Sequence, residues 1–263
     1  GLSLTTNGVI NELGQKLVDN FGFQFKVYDG FDELFSILEE FGAEIVVNDI
    51  LDTSEEYMLR LKENGYFVVN FDDLGVGAQF ADVVFDSLYE HDLSDNNVYT
   101  GQKYHVLKDE FYFQPPKVIT QEVKNVLIMF EGNDSNHLTE KFLDAILSTN
   151  YENRINVILD RGYDGVDQLV AKYESNPLVQ IYQNVSNVSE FMFKADIIIT
   201  SASKTMYDAC SLAIPTICVC QNDLEATHVF ANNANGIVNM GMGESLTKQE
   251  IVVEKSEDEE KIE

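Results

Sequence analysis

The 263-residue chain has 17 lysines and arginines against 45 aspartates and glutamates, with four histidines, three cysteines, four prolines and no tryptophan. The shortage of cations leaves a formal net charge of −28. A field of that sign repels nucleic acid and anionic membrane, which removes both from the list of partners. Any phosphate site has to be made locally, from backbone dipoles and a few cations. No apolar run approaches the roughly 20 residues of a membrane span, and nothing resembles a signal peptide. Cys210, Cys218 and Cys220 lie in or beside apolar segments without metal-ligand spacing, so they read as reduced thiols of a cytoplasmic protein. No group of His, Cys and carboxylate has the spacing of a built-in metal site. No cofactor is therefore expected, and only a loosely held magnesium is left open. No nucleophile elbow supports a Ser-His-Asp triad. The sequons at Asn133, Asn184 and Asn187 have meaning only in a secreted chain and read as chance matches.

What the chain does have is apolar residues, 44% of the total, arranged in short runs that alternate with helical periodicity. That alternation predicts parallel sheets covered by helices. Strands are expected at Leu2 to Thr6, Phe23 to Tyr28, Ala43 to Asn48, Phe67 to Phe71 and Ala81 to Phe85, with helices at Val9 to Asp19, Phe31 to Glu40 and Ser54 to Asn64. The regularity fails from Asp92 and ends in Pro115-Pro116, which can continue neither a helix nor a central strand. A domain boundary is placed there, giving an N-terminal domain over 1–116.

The pattern restarts in a second domain over 117–243. Its strands are expected at Val123 to Phe130, Asn156 to Asp160, Val179 to Tyr182, Asp196 to Thr200 and Thr216 to Cys220. Its helices are expected at Leu138 to Ser148, Gly165 to Ser175, Val188 to Lys194, Thr205 to Ala213 and Glu225 to Asn235. An acidic tail, 244–263, ends in a charge run from Glu254 that reads as frayed.

The most informative stretch runs from Ile197 to Pro215: a buried strand, a small-residue turn through Ser201, and a helix opening near Lys204 and Thr205. Free N–H groups at such an opening hold an anion such as a diphosphate. Lys204 is the cation inside that turn; a phosphate contact and a solvated side chain weigh equally for it. Asp49, Asp52, Asp72 and Asp73 end strands on the carboxyl side, where α/β domains place ligands, although aspartate there is more often a turn or cap residue. His228 shares a helical face with Glu225. His137, Tyr99 and Phe111-Tyr-Phe113 read as loop and packing residues.

Several segments together resemble one family. They are Asn48-Asp-Ile-Leu-Asp-Thr53 with Tyr57, Phe71-Asp-Asp-Leu-Gly75, Tyr99-Thr-Gly101 with Tyr104, Phe130-Glu-Gly-Asn-Asp-Ser-Asn-His-Leu-Thr139, the stretch around Thr205, and Gln221-Asn222 with Glu225 and His228. From about Leu2 to Gly241 the chain resembles the SpsG-like proteins of spore-coat polysaccharide and sialic-acid-type pathways, close relatives of the UDP-sugar hydrolase of pseudaminic acid biosynthesis. More distantly, Ser201 to Pro215 is similar to the lipid II N-acetylglucosaminyltransferase. The resemblance implies a GT-B fold: two Rossmann-like parallel-sheet domains facing a cleft, the C-terminal one holding the nucleotide. It matches Asp208 to a ribose-binding acid and Thr205 to the diphosphate-binding helix start. Gly132, Asp134 and Asn136 match a turn facing the same crevice, and Gln221, Asn222 and Glu225 match the sugar side.

Two departures stand beside these matches. Family members begin with a strand and a Gly-x-Gly-His-x-x-x-Arg-type turn whose histidine serves as base, whereas this chain opens at the family's second strand and has no histidine before His91. The N-terminal domain is thus expected to lack its first strand and helix. Family members tend to carry a double glycine where this chain has Glu131-Gly132, and one or more glycines where it has Ala202-Ser203, and a Cβ or a carboxylate there opposes a bound phosphate.

The expected function is hydrolysis of a UDP- or CMP-linked nucleotide-diphospho-sugar, with Asp49, Asp52 and Asp73 as catalytic carboxylates. The alternatives are a non-catalytic accessory domain, fused to or associated with a CMP-N-acetylneuraminate cytidylyltransferase, and glycosyl transfer.

Overall fold

The computed structural model describes residues 1–6, 15, 18–89 and 97–251. Most of the helix expected over Val9 to Asp19, and all of the charge run from Glu254, lie outside the described residues. The chain divides into two compact units, one built on Gly1–Asp86 and one on Thr100 onward. Ser87 to Tyr89 go with the second unit, and Val98 and Tyr99 with the first. The division thus falls upstream of Pro115-Pro116. The reason is that the intervening segment is fastened to the second unit: Glu110 accepts from the Ser189 amide at 2.8 Å, Phe111 is buried in that unit's core, and Lys117 pairs with Asp196 at 2.9 Å.

In the first unit β1 (Leu2–Thr6) pairs in parallel with β2 (Gln24–Tyr28), and α1 (Phe31–Phe41) follows. A second sheet takes β3 (Ile45–Asp49), β4 (Phe67–Phe71), β5 (Val83–Asp86) and β6 (Val98–Thr100) in that order, with α2 (Glu55–Glu63) between β3 and β4. Strand alternation sends Val46, Val68 and Val84 to one face, where they meet Leu34 and Leu38 of α1 and Met58 and Leu61 of α2.

A buried polar knot ties the carboxyl ends of β3 and β4 together. The Asp73 carboxylate, fully buried, accepts from the Thr53 and Gly75 amides at 3.0 and 2.9 Å and from the Thr53 hydroxyl and Asn70 amide at 2.5 Å each. Asn70 in turn accepts from Asn48 at 2.9 Å, and Asn48 from the Tyr57 hydroxyl at 2.8 Å. The two loops approach so closely that a Cβ on Gly77 would come within 2.6 Å of the Ser54 carbonyl, and one on Gly75 would strike the Thr53 backbone.

The second unit holds α3 (Asp109–Tyr112), β7 (Asn125–Met129), α4 (Leu138–Leu147), β8 (Arg154–Leu159), α5 (Val166–Tyr173) and β9 (Val179–Gln183). It continues with α6 (Val188–Lys194), β10 (Ile197–Ser201), α7 (Thr205–Ser211), β11 (Thr216–Cys220), β12 (Ile237–Met242) and α8 (Lys248–Ile251). The sheet order is β12-β11-β10-β7-β8-β9, all parallel. Both faces are covered, as a parallel sheet requires. Val126, Ile128, Ile155, Val157 and Ile199 pack with Phe142 and Leu143 of α4, while Leu127, Ile158 and Ile198 pack with Met192 of α6 and Ala209 of α7. Leu246 and Ile251 join the first of these clusters, so the chain as far as α8 belongs to this unit.

One expected helix is absent. Over Glu225 to Asn235 the chain makes only single 3-10 turns, Glu225–Thr227 and Asn233–Asn235. Asn232 diverts it by accepting from the Ala234 amide at 2.9 Å with its own backbone extended. The short strands β6 and β12 had no expected counterpart.

Replacing Asp73 with Ala strands four donors, three of them in buried bonds, and should cost about 3–5 kcal/mol of first-unit stability, while Asp73→Asn, which keeps one acceptor, should cost less. Urea unfolding of the two variants and the parent, followed by tyrosine fluorescence, checks the ranking.

Candidate functional site

The six-stranded sheet of the second unit changes direction at β7 and β10. From β7 the chain steps outward through β8 and β9, returns to pair β10 against β7, and steps the other way through β11 and β12. In open parallel sheets the loops leaving the carboxyl ends at such a reversal part and leave a crevice where ligands bind. Here those loops are Phe130–His137 after β7, Ala202–Lys204 after β10, and Gln221–Leu224 after β11.

Hydrogen bonds draw the three loops into one patch. Thr205, opening α7, donates its hydroxyl to the Glu131 carboxylate. Gln221 donates its side-chain amide to the Glu131 carbonyl at 3.0 Å, and its own carbonyl accepts from Asn136 at 2.8 Å. Its backbone amide donates to Glu225 at 2.8 Å, and Asn222 accepts from the Glu225 amide at 2.9 Å. Ser201 donates to Ser203 at 3.0 Å, both buried. Gly132 is exposed with φ 72, a conformation that side chains resist.

The remaining expected residues are spread around that patch. Asp134 is buried and caps α4, accepting from the Leu138 and Thr139 amides at 2.8 Å each. Lys204 is exposed at the head of α7, and Asp208 is buried one turn along. Of the first-unit acids, Asp49 and Asp52 are exposed at and just beyond the end of β3, Asp73 is turned inward as described, and Asp72 is buried with φ 50.

The electrostatics are acidic and local. Burial pushes the Asp208 carboxyl up to about 7; Lys108 pulls against this, and Glu131 and Glu110 add to it. Burial raises Glu225 as well, opposed by its bond from the Gln221 amide and reinforced by Glu131. A carboxyl balanced between its two forms near neutral pH can accept or donate a proton, or bond a hydroxyl. Among the described residues no group of three His, Cys, Asp or Glu side chains could hold a metal ion. The thiols are inert, with Cys218 pushed up to about 12 by burial.

An aromatic and imidazole layer beneath the turn was not anticipated. His105, Tyr207 and Phe230 stack in sequence at centroid separations of 4.2 and 4.0 Å, and the Tyr207 hydroxyl donates to the Ser87 carbonyl. His228 is buried with Nδ1 on the Ala202 carbonyl, an acceptor, so the proton sits on Nδ1. Tyr89 meets the His228 ring edge-on at 5.1 Å. His228 thus braces the β10 turn from below, off any helix.

Comparison with known proteins agrees with this geometry. No protein-family model matches the chain. An uncharacterized protein of Methanocaldococcus jannaschii is 27% identical over 227 residues, covering 80% of this chain and 47% of its own length. The spore coat polysaccharide biosynthesis protein SpsG of Bacillus subtilis is 20% identical over 225 residues, covering 81% of this chain and 66% of its own length. The chain therefore spans about half of the first relative and about two thirds of the second.

Among solved structures, MurG of Acinetobacter baumannii superposes with a TM-score of 0.64 at 14% identity, covering 94% of this chain and 79% of that one. The Methanocaldococcus jannaschii UDP-GlcNAc 2-epimerase, in complex with UDP-GlcNAc and UDP, gives 0.52 at 12% identity, covering 95% and 90%. The chain has the GT-B fold and is a distant relative of SpsG. No helix among the described residues is long and apolar enough to cross a membrane.

The raised Asp208 carboxyl fixes the sign of a pH effect. The native state keeps its proton up to about pH 7, whereas an unfolded chain releases it near 4. This group therefore subtracts stability progressively from pH 4 to 7, and the loss persists above that. Asp208→Asn should flatten that decline and stabilise the chain at pH 8, as thermal melts at pH 4, 6 and 8 will record.

Proposed function

We propose that the second unit binds a nucleotide-diphospho-sugar across the carboxyl ends of β7, β10 and β11, and that the protein hydrolyses it in a surface-polysaccharide pathway of the sialic or pseudaminic acid kind. The observation that carries this reading is the gathering of Glu131, Asn136, Thr205, Gln221 and Glu225, from three separate loops, into one hydrogen-bonded patch at the reversal point of the sheet. The UDP bound by the epimerase of the same fold supports a uridine nucleotide over a cytidine one. In this reading the turn at Ser203 to Thr205 receives the diphosphate, Asp208 bonds the ribose hydroxyls, and Gln221, Asn222 and Glu225 line the sugar. Water attacks the anomeric carbon, the bond to the diphosphate oxygen breaks, and the water proton passes to a carboxylate. Asp49 and Asp52, exposed at a strand end, suit that task better than Asp73, whose oxygens are fully engaged.

A second reading is supported by the Glu131–Thr205 bond. A carboxylate at the opening of α7 opposes a diphosphate, which favours an accessory domain that binds nucleotide-sugar weakly without turning it over, beside a cytidylyltransferase partner. Glycosyl transfer to an acceptor differs from hydrolysis only in the attacking group.

Calorimetric titration with UDP, CMP and UDP-GlcNAc tests the site. UDP should bind, and Glu131→Gln should tighten it by about tenfold, since one like charge near the phosphates is removed. Absence of heat from all three ligands at millimolar concentration, in the parent and in Glu131→Gln, would rule the nucleotide site out. Binding without release of UDP from UDP-GlcNAc would select the accessory reading.

A further inference from the structure

In the sheet of the second unit β7 lies between β10 and β8, so the turn at its carboxyl end has a neighbour on each side. On the β10 side Thr205 bonds Glu131. On the β8 side stands the turn Asp160-Arg161-Gly162-Tyr163. A Cβ built on Gly162 would lie 3.5 Å from the Gly132 carbonyl group and 3.7 Å from the Asn133 nitrogen, so little more than one side-chain atom separates the two backbones. Beside Gly132 itself the space is open. A Cβ there would meet no atom of the described residues within 4 Å, its chain neighbours aside.

The β8 turn is pinned at both ends. Tyr163 donates its amide to the Asp160 carbonyl at 3.1 Å, and Gly162 donates its amide to the Asp160 carboxylate at 3.1 Å. Tyr163 is buried in the cluster that also holds Phe130 and Leu138, the two ends of the loop after β7. Arg161 is left exposed at the tip. Acids outnumber cations 45 to 17 in this chain, and Lys62, Lys117 and Lys172 all have carboxylate partners. Arg161 stands between Asp160 and Asp164 in sequence, yet among the described residues it makes no ion pair. The carboxylate nearest in sequence is turned to the Gly162 amide instead. A guanidinium carried on a fixed turn without an internal partner is available to an anion, and its planar fork fits two oxygens of one phosphate group.

We propose that Arg161 is a ligand-binding residue of the second unit, giving a bidentate contact to the phosphate oxygens of a ligand lodged between the β8 turn and the Glu131–Thr205 pair. The inference rests on the nucleotide-diphospho-sugar reading of the site and adds a fourth loop to it. It also supplies what opposes Glu131: the ligand's negative charge lies between a carboxylate on one side of Gly132 and a guanidinium on the other. A lysine in this place would bring the charge without the fork.

Calorimetric titration of the whole chain with UDP compares the parent with Arg161→Gln, Arg161→Lys and Arg154→Gln. Arg154 is also exposed but opens β8 at its opposite end, so it reports the effect of net charge alone. Arg161→Gln should weaken UDP by about tenfold or more, Arg161→Lys by less, and Arg154→Gln by less than about twofold. Melting temperatures should stay within about a degree or two of the parent, since both side chains already meet water. A loss under about threefold in Arg161→Gln, or an equal loss in Arg154→Gln, would overturn the proposal and leave the nucleotide reading standing. Should Arg161→Gln fail to fold, Arg161→Lys decides, and an affinity equal to the parent's would then overturn it. Absence of UDP binding to both the parent and Glu131→Gln would end the proposal and the reading together.

Discussion

The parallel pairing of β7 with β10 is the constraint on which the second unit depends. Paired residues of these strands lie 71 positions apart in sequence, yet Val126 faces Ile197 and Met129 faces Thr200 in unbroken register. Because strand side chains alternate, a slip by one residue would turn Ile128 and Ile199 away from α4 and expose them. The same register brings Phe130 and Ser201, the residues that leave the two strands, to one level. Glu131 meets Thr205 for that reason. The core and the candidate site are therefore two consequences of one alignment.

Carboxylates show how burial alone fails to set a role. Asp73 and Asp208 are both withdrawn from water, but Asp73 is given four donors by Thr53, Asn70 and Gly75, and it acts as a fastener between loops. Asp208 has acidic neighbours in Glu131 and Glu110, with Lys108 in partial opposition, and is held near the midpoint of its titration. The difference lies in the donors each local fold supplies. Asp73 sits two residues before Gly75, where a loop doubles back on Thr53; Asp208 sits on a helix whose backbone amides bond to earlier carbonyls.

Much of the architecture was legible in the sequence because parallel strands buried on both faces read as unbroken apolar runs, such as Ile197 to Ile199 and Val126 to Ile128. The strands Phe67–Phe71 and Thr216–Cys220 fall where those runs predict. Less regular segments depart from their sequence pattern for identifiable reasons. Glu225 to Asn235 has helical periodicity, but its asparagines compete for backbone groups, and His228 and Phe230 are drawn toward Ala202 and Tyr207 by contacts remote in sequence. β12, at the sheet edge, carries Asn239 and Gly241 and lacks the apolar continuity of an interior strand. At the site, the loop residues were named from resemblance, but the stack of His105, Tyr207 and Phe230 joins parts of the chain more than a hundred residues apart. No local pattern announces such a layer.

Of the positions where the resemblance expects glycine, Ala202 and Glu131 act differently once placed in the fold. Ala202 is fully buried, its amide bonded to the Val219 carbonyl, in a cluster with Leu88, Met206 and Cys220. Its methyl belongs to the core and takes no space from a ligand above the turn. Glu131 is the consequential change. Its carboxylate lies on the Thr205 hydroxyl, so in the free chain it serves as an internal counterpart to the opening of α7. An anion brought to this turn would replace the carboxylate rather than fill an empty seat. Because Glu131 is partly exposed, it has water to retreat into, and the cost of the exchange is a hydrogen bond and some electrostatic work rather than the stranding of a buried charge. In a protein of charge −28, that distinction sets how strongly Glu131 opposes a second anion at the turn.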